Sequence, residues 1–169
     1  MKVAFTLRTA TPDDAETVPR LHLAAWRESY GHLLPAEFFE TREAAMDERI
    51  ERHREALAGS YQPVLAHDAG GELVGMAFAA PSRDEDAPCG LELQLIYALQ
   101  RVHGTGVGQA LLDAVIGKEA AYLWVLEDNP RAQAFYRRNG FAPEGKRELL
   151  PAEWEELPEI RMVRPAVGG

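Results

Sequence analysis

Cysteine, basic residues and long apolar runs are all scarce in this sequence of 169 residues. The single cysteine, Cys89, excludes an internal disulfide framework and a cysteine zinc cluster, and it suits a reducing compartment. The 18 Lys and Arg residues stand against 27 Asp and Glu residues, and the net charge of −9 disfavours nucleic acid and anionic membranes as partners. No apolar run approaches the ~18 residues of a membrane span, and the start of the chain lacks the apolar core of a signal peptide. We therefore expect a soluble, cytoplasmic protein.

The hydrophobic content is sufficient for a folded core, at 46% of the residues. The length favours one domain over residues 1–169, with residues 166–169 as a flexible tail. Apolar periodicity predicts elements in the order β-α-α-β-β-β-α-β-α-β-β, which is an α/β (α+β) pattern with a mixed sheet flanked by helices. The predicted helices cover residues 11–30, 36–57, 107–117 and 130–138, a strand covers 89–98, and a turn at 68–71 makes an antiparallel hairpin.

Three glycines, Gly104, Gly106 and Gly108, lie between the strand at 89–98 and the helix at 107–117. Glycine lets backbone N–H groups approach a ligand closely, and the start of a helix attracts anions, so this run is typical of a phosphate site. A helix packed closely on a neighbouring strand would explain the same glycines, and the spacing alone leaves both explanations open. The signatures of a P-loop and of a dinucleotide-binding loop are both absent.

A second motif follows at residues 123–141, LWVLEDNPRAQAFYRRNGF, which combines a strand, an Asn129-Pro130 helix start and an aromatic pair before Gly140. Together the two motifs resemble the GNAT superfamily of N-acetyltransferases, in which a strand ends in Gln/Arg-x-x-Gly-x-Gly/Ala and a later unit ends in Tyr-x-x-x-Gly-Phe. The resemblance implies the GNAT fold, with a mostly antiparallel sheet of six to seven strands and about four helices. It also implies acetyl-coenzyme A as cosubstrate, and we expect no metal.

Arg101 satisfies the glycine pattern of the family literally, but the spacing to the helix favours a later register, in which His103 replaces Gln or Arg. The resemblance then implies that loop amides bind the pyrophosphate of the coenzyme, that the strand end pairs with its pantetheine arm, and that Asn129 contacts this arm. A plain helix N-cap explains Asn129 equally well. The implied coenzyme-binding residues are Ile96, Tyr97, Ala98, His103, Gly104, Thr105, Gly106, Val107, Gly108, Gln109, Asn129 and Tyr136.

The resemblance also implies catalytic roles for two residues. Tyr136 resembles the general acid that protonates the departing thiolate, and Glu92 falls where some members, among them histone acetyltransferases, place a general base. Other members have a glutamate at the position of Trp124, which carries no basic group. The plain alternatives are an aromatic residue at a helix end for Tyr136 and an exposed polar strand residue for Glu92.

The resemblance implies an acceptor site built mainly by the first two helices and the loop between the last strands, which makes Trp26 and Tyr30 candidates. Gln94 is a third candidate, because the period of two places it on one strand face with Glu92. Aromatic side chains together with the carboxylates at 153–156 suit a primary amine on a small molecule or a peptide or protein N-terminus, acetylated by direct transfer in a ternary complex. Trp26 fits the hydrophobic core equally well. The alternative function is a coenzyme-binding sensor without activity, and a homodimer is compatible with the sequence.

Overall fold

The computed structural model describes residues 3–168, which form five α-helices and seven β-strands. The helices are α1 (Thr17–Tyr30), α2 (Ala36–Ala44), α3 (Met46–Ala58), α4 (Val107–Ile116) and α5 (Pro130–Arg138). The strands are β1 (Phe5–Thr9), β2 (Val64–Asp68), β3 (Leu73–Pro81), β4 (Leu91–Ala98), β5 (Ala121–Leu126), β6 (Ala142–Leu149) and β7 (Pro158–Arg164). Within residues 3–168 no helix combines the length and the apolar character that a membrane span requires.

The seven strands form a sheet in the order β1-β2-β3-β4-β5-β7-β6. β1 with β2, β2 with β3, β5 with β7, and β6 with β7 are antiparallel, whereas β4 and β5 are parallel and pair at Glu92 and Tyr122. The β2–β3 hairpin turns where the sequence predicts it, because Asp68 Oδ1 accepts from the N–H groups of Gly70 (2.9 Å) and Glu72 (3.0 Å). The predicted mixed, mostly antiparallel sheet is confirmed.

The chain forms two compact units, each built from two segments. Unit 1 is the chain up to Phe78 together with Leu95–Val115, and unit 2 is Ala79–Gln94 together with the chain from Ile116 onward. β3 and β4 therefore contribute residues to both units. The single domain over residues 1–169 and the flexible tail stay predictions; in the tail, the N–H of Val167 donates to the carbonyl of Lys118 (2.8 Å), and residue 169 lies outside the described residues.

In unit 1, α4 packs on the strands through an apolar stripe. Val107 and Leu111 are fully buried in a cluster with Ala66, Val74, Ala77 and Val102. Gly75 on β3 allows this close approach, because a Cβ at that position would lie 2.9 Å from Leu111 Cδ1 and 3.1 Å from the carbonyl oxygen of Tyr97. α4 is thereby fixed against the end of β4.

In unit 2, α5 begins and ends as the sequence predicts. Asn129 caps the helix by accepting from the N–H of Ala132 (3.3 Å), and Pro130 occupies the first helical position. At the other end the carbonyl of Tyr136 accepts from the N–H of Phe141 (3.0 Å), while Gly140 adopts a left-handed φ of 88°. These caps fix α5 between β5 and β6 in the chain.

The single helix predicted over residues 36–57 is instead two helices, α2 and α3. Ala45 between them has φ −92° and ψ 15°, which is not helical. The break changes the direction of the buried face, so that Phe38 and Phe39 of α2 and Met46 and Ile50 of α3 are all buried. Neither glycine nor proline marks this break, and the pattern therefore carries no signal for it.

Two predicted boundaries also differ. α1 begins at Thr17 rather than residue 11, because a separate 3₁₀ turn, Pro12–Asp14, precedes it and is closed by the carboxylate of Asp14 accepting from the N–H of Thr11 (2.8 Å). β4 begins at Leu91 rather than residue 89; the carbonyl of Gly90 instead accepts from the N–H of Ser82 (3.0 Å) in the preceding turn. Local side-chain and turn bonds explain both differences.

Candidate active site

The end of β4 lies between α4 on one face and α1 on the other within unit 1. Ile96 and Ala98 pack against the α4 cluster. Because side chains alternate along a strand, Tyr97 points to the opposite face, where its ring centroid lies 4.8 Å from that of His22 on α1. Each predicted coenzyme-binding residue of β4 is therefore held by packing on a helix.

The glycine loop, residues 103–109, connects the end of β4 to α4. Gly104 and Gly106 have left-handed φ values of 76° and 96°, and a Cβ on either would meet no atom within 4 Å. Close packing on a strand therefore does not explain these two glycines, whereas backbone conformation does. Gly108 and Gln109 already belong to α4, and Gln109 Nε2 donates to Asp113 (3.0 Å).

His103 ties the glycine loop to β4. Its Nε2 lies 2.8 Å from the carbonyl oxygen of Ala98, and since a carbonyl only accepts, Nε2 carries the proton in this bond. Nδ1 of the same ring is buried and has no hydrogen-bond partner among the described residues. Arg101, the residue of the literal pattern, instead pairs with Asp68 (3.0 Å) and Glu72 (2.8 Å) on the β2–β3 hairpin.

The predicted acceptor residues of unit 1 lie on the last turns of α1. The Trp26 ring centroid is 4.2 Å from that of His22 and 6.1 Å from that of Phe38, and Tyr30 is the last residue of the helix. His22 is held neutral: burial, followed by the charges of Arg49 and His53, lowers its pKa to about 3. The sequence carries no signal for a role of His22, whereas in the fold its ring contacts both Trp26 and Tyr97 and its buried Nε2 has no hydrogen-bond partner among the described residues.

In unit 2, Glu92 is buried, with 2% of its surface exposed, so the plain alternative of an exposed polar strand residue is wrong. Its carboxylate accepts from Arg83 Nη2 (2.8 Å), Arg83 Nε (3.1 Å) and the Arg83 backbone N–H (3.3 Å). Gln94, two residues further along β4, is half-buried, and Trp124 Nε1 donates to Asp84 (2.9 Å). The candidate base is thus already engaged by an arginine.

The second predicted catalytic residue, Tyr136, lies on α5 in unit 2, seven residues after Asn129. Its side chain is buried, and its ring packs edge-on against Phe135 (5.6 Å) and Phe141 (5.9 Å). The side chain of Asn129 serves as the helix cap described above. Among residues 3–168 no group of His, Cys, Asp and Glu side chains is arranged to hold a metal ion.

Unit 2 also contains a titratable group that sequence reasoning missed. Glu159 lies on β7 opposite Leu126 of β5, and burial, followed by the charges of Glu148 and Asp84, raises its pKa to about 7. The period of two along β7 places Glu159 on the same face as Arg161. That period is visible in the sequence, but the burial of Glu159 is not.

The comparisons with known proteins agree on a family. A model of the acetyltransferase (GNAT) family matches residues 20–141, which is more than half of the chain. The chain is 28% identical to YuaI, an uncharacterized N-acetyltransferase of Bacillus subtilis (strain 168), over 145 residues that cover 82% of this chain and 80% of that protein. This chain belongs to the GNAT acetyltransferase family, which confirms the resemblance carried by the glycine run and the second motif.

Solved structures show the same fold. PaiA N-acetyltransferase of Thermoplasma acidophilum, crystallised in complex with coenzyme A, matches with a TM-score of 0.63 at 18% identity, covering 96% of this chain and 99% of that one. A Corynebacterium glutamicum structure described as histone acetyltransferase HPA2 and related acetyltransferase matches with a TM-score of 0.67 at 26% identity, covering 98% of each chain. The GNAT fold is therefore established for this protein.

Proposed function

We propose that this protein transfers an acetyl group from acetyl-coenzyme A to a primary amine, on a small molecule or at a peptide N-terminus, by direct transfer in a ternary complex. The observation that carries the proposal is the glycine loop, in which left-handed Gly104 and Gly106 leave open space beside the backbone immediately before α4. A phosphate needs N–H groups that it can approach closely, and a helix start supplies them together with a favourable dipole.

The residues around the loop fit a pyrophosphate group. At the start of α4 the N–H of Ala110 donates to the carbonyl of Gly106 (3.0 Å), so the first turn of the helix directly follows the left-handed glycines. A helix start of this kind favours an anion. Residues 100–112 contain no Asp or Glu, in a protein whose net charge is −9. We therefore propose that residues 103–109 hold the pyrophosphate, with Ile96, Tyr97 and Ala98 beside the pantetheine arm and Asn129 and Tyr136 as further contacts.

The chain's own groups would supply a hydrogen-bond donor for the developing oxyanion, an acid for the departing thiolate and a base for the amine. Acetyl-coenzyme A, when bound, provides the activated acetyl group. A backbone N–H at the end of β4 would donate to the acetyl carbonyl oxygen and stabilise the negative charge that develops there. The hydroxyl of Tyr136 would protonate the departing thiolate, since a phenol O–H is acidic enough for this transfer.

The base that removes the amine proton is proposed among two carboxylates of unit 2. Glu92, assigned by resemblance, accepts three hydrogen bonds from Arg83, so most of the acceptor sites of its carboxylate are already engaged. Glu159 has its pKa raised to about 7, near the value that suits a base working at neutral pH. If Glu159 is the base, a Glu159→Gln variant should lower kcat/KM and flatten its pH dependence near pH 7. A loss of kcat/KM in Glu92→Gln, with Glu159→Gln still active, would assign the base to Glu92.

The test of the function separates coenzyme binding from transfer. Thermal unfolding with and without coenzyme A measures binding, and thiol release with a panel of amines measures transfer. Tyr136→Phe should lower kcat by about 100-fold or more while coenzyme A still raises Tm. Tyr61→Phe, which removes a tyrosine hydroxyl from unit 1, is the matched control and should keep its rate.

Two results would contradict the proposal. A retained Tm shift with no turnover of any amine would favour the sensor alternative. The absence of any Tm shift with coenzyme A would argue against both functions, because each requires the glycine loop to bind the coenzyme.

A further inference from the structure

An unusual group of cations lies over the aromatic rings of unit 1. Arg42 of α2 and Arg49 of α3 both face Trp26, with guanidinium carbons 5.9 Å and 5.5 Å from the ring centroid. Arg42 also lies over Phe38 at 3.4 Å and donates to the carbonyl of Phe38 (3.0 Å). We call this group, completed by His22 and Tyr97, the arginine–aromatic cluster.

Arg49 is the exceptional member of the arginine–aromatic cluster. Its side chain is half-buried, its Nε is buried without an acceptor, and no carboxylate pairs with it within residues 3–168. Burial, followed by the charges of Arg42 and Arg52, lowers its pKa from the ordinary value. A partly desolvated cation beside other cations is unfavourable unless an anion compensates it.

The protein does not lack acids with which to compensate Arg49. It carries 27 Asp and Glu residues, and other arginines of the described chain take carboxylate partners. These include Arg8, Arg20, Arg27, Arg54, Arg83, Arg101, Arg147 and Arg161. The charge of Arg49 is therefore left for a group that the chain itself does not provide.

The arginine–aromatic cluster is continuous with the strand proposed to hold the reactive end of the coenzyme. The ring of His22 contacts both Trp26 (4.2 Å) and Tyr97 (4.8 Å), and the carbonyl of Ala98, the next residue, is bonded to His103 of the glycine loop. His22 is neutral at physiological pH and adds no negative charge. A continuous series of ring contacts, through Trp26 and His22, thus connects Arg49 to Tyr97 on β4.

We propose that Arg49, beside the second cation Arg42, binds a carboxylate of the acceptor, so that the acceptor is a small amine that also carries a carboxylate, such as an amino acid. This inference rests on the proposed N-acetyltransferase function and narrows its acceptor class.

A matched set of amines tests the inference: phenylalanine, phenylalaninamide and phenethylamine, extended to the other amino acids and their amides. Wild-type kcat/KM should favour the carboxylate over the carboxamide by about 10- to 100-fold, the effect of a charge-assisted hydrogen bond. Arg49→Gln should bring the two within about threefold by raising KM for the carboxylate, and Arg49→Lys should retain part of the preference. Arg54→Gln, which removes an exposed charge from the same helix, should leave the preference unchanged.

The outcomes separate this inference from the function on which it rests. Turnover that favours the carboxamide or phenethylamine, or a preference that survives in Arg49→Gln, overturns the carboxylate site and leaves the N-acetyltransferase function standing. If no amine is turned over, ligand-observed NMR with N-acetylphenylalanine and its amide replaces the kinetics; binding that depends neither on the carboxylate nor on Arg49 then overturns the inference. The Tm of each variant shows whether it is folded. If Arg49→Gln does not fold, the carboxylate preference is measured in Arg49→Lys instead.

Discussion

Arg49 in unit 1 and Arg161 in unit 2 each place a guanidinium 5.5 Å from a tryptophan ring, Trp26 and Trp124 respectively, yet their charge environments are opposite. Arg161 is 5% exposed and pairs with Asp84 (3.3 Å), Asp86 (3.1 Å) and Glu144. Arg49 has a buried Nε without an acceptor and no carboxylate partner in the described chain. The same residue type in a similar ring contact is neutralised in one unit and uncompensated in the other.

The difference shows that charges are more completely paired around Arg161 than around Arg49. Other polar side chains of unit 2 are also paired, as Arg83 is with Glu92 and Trp124 is with Asp84. In unit 1 the buried atoms without a hydrogen-bond partner among the described residues include Nε of Arg49, Nδ1 of His103 and Nε2 of His22. His103 is bonded to the end of β4, and the ring of His22 packs on Tyr97. Buried polar groups are normally paired, so each unpaired group requires an explanation. For Arg49 the proposed explanation is a bound ligand.

The largest expected effect comes from removing the two arginines in turn. Arg161→Gln should lower the free energy of unfolding by about 3 kcal/mol or more, because it leaves partly buried carboxylates without their cation. Arg49→Gln should change it by less than about 1 kcal/mol, because the loss of ring packing is offset by removal of an uncompensated charge. Urea unfolding of both variants provides the measurement, and equal losses would contradict the contrast between the two units.

A second prediction compares left-handed glycines of the two units. Gly106 has φ 96° and Gly145 on β6 has φ 98°, and a Cβ on either meets nothing within 4 Å. Gly106→Ala and Gly145→Ala should therefore both cost about 1 kcal/mol in stability through backbone strain. Only Gly106→Ala should also weaken coenzyme A, by about tenfold, because its methyl group would project beside the loop backbone. Calorimetric titration measures the affinity, and equal coenzyme affinities would argue against the loop as the phosphate site.

A third prediction concerns Glu159, the carboxylate of unit 2 whose charge is not well compensated. Its pKa rises from an ordinary 4.5 to about 7 on folding, so the folded state binds more protons than the unfolded state between these values. The stability that protonated Glu159 contributes is fully present below pH 4.5 and is lost as the pH rises through 7. Glu159→Gln should thus unfold like wild type near pH 4.5 and be more stable above pH 7 by about 1 kcal/mol, a value reduced for partial solvent screening.

The control for the pH experiment is Glu153→Gln, which removes an exposed carboxylate from the same unit. The free energy of unfolding of Glu153→Gln should differ from that of wild type by a constant amount across the same pH range. If the free energy of unfolding of Glu159→Gln also differs from that of wild type by a constant amount, the pKa of Glu159 does not change on folding and the prediction is wrong.

The elements that the sequence predicts well are those with strong local signals. Asn129 and Pro130 mark the start of α5, and the turn at 68–71 marks the β2–β3 hairpin, because caps and tight turns depend on a few adjacent residues. The break at Ala45 carries no such signal, since it is set by which side chains α2 and α3 bury against the rest of unit 1. Tertiary packing therefore decides where α2 ends and α3 begins.

The candidate site likewise contains some features that the sequence predicts and others that depend on the fold. The glycine loop could be recognised because the left-handed conformation of Gly104 and Gly106 demands glycine locally. The Arg83–Glu92 pair joins residues nine positions apart across a turn, and Arg49 lies in a segment that reads as a charged, solvated helix. Whether a charge finds a partner depends on the fold, so neither the engagement of Glu92 nor the uncompensated charge of Arg49 is visible in the sequence.

The smallest expected effect concerns His103, whose buried Nδ1 has no hydrogen-bond partner among the described residues. His103→Leu removes the donor to the carbonyl of Ala98 and should cost about 0.5 to 1 kcal/mol, whereas His103→Gln keeps an amide donor and should cost less. If Nδ1 accepts a hydrogen bond from the bound coenzyme, His103→Leu also raises KM for acetyl-coenzyme A by a fewfold, and the glutamine oxygen restores part of it. Steady-state kinetics on both variants distinguishes this role from packing, because a side chain that only packs changes Tm without changing KM. An unchanged KM in His103→Leu would mean that the coenzyme does not use Nδ1 of His103.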